Sequence, residues 1–409
     1  MASPDRTTKH SKRRKIQNSD LKNLKYFRQL LPLLERLHED ATARDKAGNR
    51  ELFYDGYVCL LLLAFFNPII TSLRALEEAP ELEKVQKLFG LKGTALASLS
   101  EAGSLFNPDL LRTVVQQLGQ QAASLEANLG GLCAAKKRDL EALRGLTAVD
   151  GTFIRALPRM FWSLCRKSNY AAKMHLQFSV LAGVPLDATL TTGTSSERHE
   201  LSQVLQSGFI YVTDRGYASF TLCRRILDHG SSFIGRVQEN VAYVIERERP
   251  LPKEALDANI IHDYDVSKLG ASHHKDEIGQ TVRLVVVQFT KGDGSVTTLN
   301  LVTDRLDLPA ETIALGYRYR WSVELYFRWF KRVLGCRHLF SENLNGMAIQ
   351  CYTALIASLM VVIYTGIKLN KRTWEMVQYY FMGWATLDEF ERHINKVRAA
   401  EALKAAKAA

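Results

Sequence analysis

Within YRYRWSVELYFRWFKR (317–332), Tyr317, Arg320, Glu324 and Lys331 follow one another at spacings of three, four and seven residues. Each helical residue advances about 100°, so the four fall at roughly 0°, −60°, −20° and −40° on one narrow ridge. Phe327 and Phe330 lie about 60° apart on another side, as a buried face would. Two readings are open from this stretch alone. A surface helix with an Arg320–Glu324 pair at i,i+4 gains only a few tenths of a kcal/mol from it. An acid seated among bases and rings instead asks for further partners, and two carboxylates elsewhere qualify: Asp150 in VDGTFI and Asp214 in VTDRGY. Gathered at one point, Asp150, Asp214 and Glu324 would hold two Mg²⁺ ions, with Mn²⁺ as an alternative, roughly 3.5–4 Å apart. Hard oxygen ligands of this kind leave positions for water and phosphate, which is the chemistry of phosphoryl transfer. No His/Cys cluster competes as a metal site, and no P-loop, GxGxxG or GxSxG motif is present.

The elements that must position these acids can be read from the chain's texture. LTAVDGTFIRAL (146–157), KMHLQFSVLAG (173–183) and PLDATLTTG (185–193) read as strands, the last two joined at a Gly-Val-Pro turn. SSERHELSQVL (195–205) reads as a helix capped by Ser195 or Ser196. GFIYVTDRGY (208–217) is a short apolar strand ending in Asp214, SFTLCRRILDHG (219–230) a helix closed by Gly230, and SFIGRV (232–237) a further strand. Three antiparallel strands followed by alternating helices and strands belong to a ribonuclease H-like fold. In that layout the first and fourth strands are neighbours, which brings Asp150 and Asp214 within reach of each other. Residues 238–302 carry alternating segments and read as a β-rich insertion.

The expected organisation is multidomain α/β. A basic arm (1–18) precedes a helical domain (19–145) that binds DNA ends. A catalytic core (146–237 and 303–370) surrounds the insertion (238–302), and a helical tail (371–409) follows. Asp304 in LVTDRLD echoes Asp214, but its place beyond the insertion is wrong for the fourth strand. His199 and the His273–His274 pair are isolated histidines of the kind that is usually structural or solvated.

Charge points the same way. The chain of 409 residues has 54 Lys+Arg against 43 Asp+Glu, a net +11, with a pI near 9.3. Such a balance favours a polyanionic partner, nucleic acid before membrane surface. Residues 1–50 hold 13 Lys+Arg and 6 Asp+Glu. Lys12, Arg13, Arg14 and Lys15 in KHSKRRK are placed to collect DNA phosphates. Six scattered cysteines without CxxC spacing fit reduced thiols in a cytoplasm, and no secretory signal is expected. The uncharged run 347–367 is long enough to span a bilayer, yet its Gln350, Thr353 and Ser358 fit a buried core helix better.

Tyr317, Arg320, Glu324 and Lys331 match a Tyr-x2-Arg-x3-Glu-x6-Lys signature at all four positions. Together with VDGTFI, VTDRGY and LRALEEAPELEKVQKLFG (73–90), the chain resembles a bacterial DDE transposase of the insertion sequence 4 family over about 146–345. That resemblance implies that Asp150, Asp214 and Glu324 are the metal-binding catalytic triad. It implies that Tyr317, Arg320 and Lys331 hold transposon-end phosphates, with Arg215 beside Asp214 as a further DNA contact. Trp321 would stack near a displaced base. Implied partners are double-stranded DNA, as terminal inverted repeats and target, and a second copy in a homodimer that pairs two ends. Hairpin-forming members carry a Trp within the insertion; 238–302 has none, leaving Phe289, Tyr243 or Tyr264 as substitutes. The alternatives are a ribonuclease H-like nuclease or resolvase that only hydrolyses, and a catalytically silent DNA-binding regulator.

Overall fold

The computed structural model describes residues 34, 37–39, 51–90, 93–124, 134–156, 160–166, 169–270, 278–290, 292–334 and 339–407. Lys12, Arg13, Arg14, Lys15 and the His273–His274 pair lie outside the described residues.

From residue 51 to the first strand the described helices are α1 (Tyr54–Phe66), α2 (Leu73–Glu78), α3 (Glu83–Phe89), α4 (Leu96–Leu105), α5 (Pro108–Ser124) and α6 (Ala134–Ala142). They start where local chemistry allows. Ser72 caps α2 through Ala75 N, and Pro108 opens α5 where its missing N–H costs nothing.

The sheet is formed by β1 (Leu146–Arg155), β2 (Leu164–Arg166), β3 (Asn169–Ser179), β4 (Val184–Thr192), β5 (Ile210–Thr213), β6 (Ser232–Val237), β7 (Val244–Glu248), β8 (Ile260–Ser267), β9 (Val282–Thr290) and β10 (Val296–Thr303). Strand order runs β2-β3-β1-β5-β6-β10-β9-β8-β7, with β4 on the other side of β3. β1, β3 and β4 form an antiparallel meander, and β1, β5 and β6 are parallel. The mixed order β4-β3-β1-β5-β6 fits a ribonuclease H-like core. Residues 238–302 supply β7 to β9 and most of β10; β10 pairs antiparallel with β6, so these strands continue the same sheet.

Side chains of β1 alternate between the two faces. Ala148 and Ile154 enter the larger apolar cluster, shared with α1, α5, α11 (Trp321–Leu334) and α12 (Leu344–Thr365). Val149 enters the smaller one, with Leu201 of α7 (Glu197–Gln203) and Leu222 and Ile226 of α8 (Phe220–Asp228). A short helix α9 (Lys253–Asp257) lies between β7 and β8; α10 (Ala310–Tyr319) leads into α11, and α13 (Lys371–Met382) and α14 (Leu387–Lys407) follow α12. By length and composition α12 passes as a membrane span, but it is packed against α5, β4 and α1, and almost all of its residues are buried.

Two local expectations shift. The fourth strand ends at Thr213, one residue before the expected Asp214, because Asp214 leaves the ladder to cap a 3₁₀ turn over Arg215–Tyr217. Ser196 stands at the N-cap of α7, yet its side chain accepts no cap hydrogen bond.

Candidate active site

β1 and β5 pair in parallel at Leu146↔Ile210, Thr147↔Tyr211 and Ala148↔Val212. Continuing that register by two residues sets Asp150 beside Asp214, where β5 has stopped and β1 runs on. Each acid is held by the backbone: Asp150 Oδ1 accepts from Gly151 N and Asp214 Oδ1 from Gly216 N, both at 2.8 Å. Asp304 goes elsewhere. Its Oδ1 accepts from Phe233 N at the start of β6, the end of the sheet away from Asp214.

Glu324 arrives from the opposite side of the chain through Arg320. Arg320 Nη2 donates to Glu324 Oε1 at 2.8 Å, and Nη1 lies 3.7 Å from Asp150 Oδ2. The predicted single ridge is therefore two helices. At Arg320 the backbone switches to i→i+3 bonds, from Arg320 N to Tyr317 O and from Val323 N to Arg320 O, so α10 and α11 meet at this residue. Tyr317 stays close across the junction, with the Arg320 guanidinium carbon 5.8 Å from its ring centre. Phe327 and Phe330 are buried on the inner face, and Lys331 is exposed. Trp321 is about half exposed (49%), with Arg328 5.5 Å from its ring. Arg215 is exposed on the turn beside Asp214.

The electrostatics match a crowded acidic site. Burial drives the Asp150 carboxyl up to about 7; the Arg320 charge opposes this, and the charges of Asp214 and Glu197 add to it. Burial also raises the Tyr317 hydroxyl, against the pull of Arg320 and Arg236. Arg320 Nε is buried without an acceptor among the described residues. The donor set suits a hard divalent cation: carboxylates from three elements, partly shielded from water. Among the described residues no three metal-binding side chains converge on one point, and it is Arg320 that stands between Asp150 and Glu324.

Sequence reasoning missed several neighbours of this site. Glu197 of α7 and Lys173 of β3 form a 2.8 Å ion pair beside Gly151. Arg198 Nε donates to Gly216 O at 2.9 Å, fastening α7 to the turn after Asp214. Tyr217 is buried under the same acids. SSERHEL carried a hint of this as a charged helix directly after the third strand of the meander.

Residues 141–360, a span containing all three acids, match the family described as the transposase DDE domain. The chain belongs to this family. A relative from Geobacillus stearothermophilus, "Probable transposase for insertion sequence element IS5377", is 26% identical over 226 residues, covering 55% of this chain and 58% of that one. A relative from Synechocystis sp., named for insertion sequence element IS4SA, is 23% identical over 246 residues, covering 58% and 64%. The DDE-domain chain thus spans about three fifths of the length of these relatives. Among solved structures, a piggyBac transposase synaptic complex with hairpin DNA aligns with 90% of this chain and 82% of its own at 10% identity and a TM-score of 0.39, a likeness too loose to carry an argument.

Proposed function

We propose that the protein is a DNA transposase of the insertion sequence 4 type that cuts transposon ends and joins them to target DNA. The observation that carries this reading is the β1–β5 register, which sets Asp150 beside Asp214, together with Arg320 linking that pair to Glu324. Asp150, Asp214 and Glu324 would hold two Mg²⁺ ions, or Mn²⁺ in their place. When bound, the pair of cations polarises the attacking and leaving oxygens of an in-line displacement.

The chain's own groups set the rest. Arg320 is the switch between two partners: its fork matches a phosphate as well as a carboxylate, so a DNA phosphate competes with Glu324 for it. Tyr317 offers a hydroxyl on the same side, and Lys331 and Arg215 are exposed charges for the flanking backbone. Trp321 presents a half-open ring to a distorted DNA end. The helical region before β1 reads the terminal inverted repeats, the basic arm adds salt-dependent affinity, and the pairing of two ends calls for a homodimer acting at the bacterial nucleoid.

Glu324→Gln tests the reading. The amide is nearly isosteric and removes a negative charge near phosphate, so end binding in a gel shift should be kept or tightened. Mg²⁺-dependent nicking of an end-containing duplex should collapse, as in Asp150→Asn and Asp214→Asn. Normal nicking by the Gln variant would remove Glu324 from the site. Joining of pre-cut ends to a target plasmid separates a transposase from a nuclease that only hydrolyses.

A further inference from the structure

Glu197 reaches the acid pair from the other face of the sheet. α11 lies on the face of the larger apolar cluster and α7 on that of the smaller one. The Glu197 carboxylate spans the gap between the backbones that follow Asp150 and Asp214. A methyl group added at Gly151 would sit 2.3 Å from Glu197 Oε1, and one at Gly216 would sit 3.5 Å from Oε2 and 3.0 Å from Asp214 Oδ1. At Gly151 the carboxylate occupies the space a side chain would take.

A second, independent feature points at the same carboxylate. Among the described residues the Tyr217 hydroxyl has no hydrogen-bond partner, and the residue is 2% exposed. Tyr217 lines a small, partly open cavity together with Glu197, His175 and Gln177. Burial raises this phenol, and the charges that raise it further are Glu197, then Asp150, then Asp214. The buried phenol thus lies within electrostatic reach of Glu197, Asp150 and Asp214. Lys173 pairs with this carboxylate, 2.8 Å from Glu197 Oε1 and 5.4 Å from the Phe153 ring centre.

We propose that Glu197 is a fourth metal-facing carboxylate of the Asp150–Asp214–Glu324 site, entering from the face opposite Glu324, with Lys173 as its partner until a cation binds. This rests on the metal-site reading above and extends it. Four carboxylates against Arg320 and Lys173 leave an excess of negative charge that a divalent ion would neutralise.

The test is Mn²⁺ binding to the full chain without DNA, followed by the paramagnetic signal of the free ion. Even residues that only support metal ligands cost 10–100-fold in affinity when changed. Glu197→Gln should therefore weaken Mn²⁺ binding by at least about tenfold. Glu197→Asp keeps the charge but withdraws it by about 1.5 Å, one carbon–carbon bond, and should weaken binding similarly. Lys173→Met removes a competing cation while leaving the carboxylate intact, and should tighten binding. Wild-type affinity in Glu197→Gln would make the residue no more than Lys173's partner and overturn the proposal. Wild-type affinity in Glu197→Asp alone would make it a distant charge, which also overturns it, as would unchanged affinity in Lys173→Met. Asp214→Asn separates the two levels. If it abolishes Mn²⁺ binding while Glu197→Gln does not, only the fourth carboxylate falls; if it too binds normally, the metal-site reading falls with it.

Discussion

His175 stands on β3 opposite Gly151, with Nε2 2.8 Å from Thr191 Oγ1 and Nδ1 buried without a partner. Burial, helped by the Lys173 charge, lowers its pKa from 6.5 to about 4. The unfolded chain therefore binds a proton that the folded chain refuses between those values. Stability from this group is complete above about pH 6.5 and is lost as pH falls towards 4, by up to about 3 kcal/mol at 1.36 kcal/mol per unit. His175→Gln should flatten the fall of the melting temperature across that window, measured by circular dichroism from pH 7 to 4. An unchanged slope would mean that His175 is protonated in the folded state. At this scale the sequence disclosed where Asp150 and Asp214 sit on their strands, because each closes an apolar run that only a strand explains. It concealed Glu197, whose partner Lys173 lies 24 positions earlier on a strand. No spacing rule links a helix start to a residue two strands away.

Among the elements, the succession of strands and helices after residue 146 was legible from period-2 runs and turn residues, and the neighbouring of the first and fourth strands followed from the layout that succession implies. The break at Arg320 was not. Nothing between Tyr317 and Lys331 is Pro or Gly, and the 3.6-residue pattern continues through it. Where the helix bends, Arg320 Nη1 lies 3.7 Å from Asp150 Oδ2, a tertiary contact that helical periodicity does not encode. Close approach of α5 to β4 is similarly invisible in the pattern and rests on one glycine. A Cβ at Gly119 would meet Pro185 O at 2.6 Å and Leu186 Cα at 3.0 Å, both backbone atoms that cannot rotate away. Gly119→Ala should therefore destabilise the protein despite its better helix propensity, by about 1–3 kcal/mol as overpacked cores do. Urea unfolding would check this; a gain in stability would show that α5 can shift without loss.

At the scale of the whole molecule, the helices before β1 and the sheet are not separately cored. One apolar cluster runs from Leu34 through α1, α5, β1, β3 and α12 to Ile394. Arg112 of α5 joins the halves through a bidentate pair with Asp187 of β4, Nε to Oδ1 at 2.8 Å and Nη2 to Oδ2 at 2.7 Å. The Asp187 side chain is 1% exposed, whereas Arg112 keeps 23%. That asymmetry sets the prediction. Arg112→Ala leaves a buried carboxylate with no countercharge and should cost about 3–5 kcal/mol. Asp187→Asn leaves a guanidinium that can turn towards water and should cost less. Because the core is shared, the loss should lower one transition rather than detach one half: far-ultraviolet circular dichroism and tryptophan fluorescence should fall together in guanidinium chloride for wild type and both variants. Two separated transitions in Arg112→Ala would mean that the helical half holds its own fold and is only docked on the sheet by this pair.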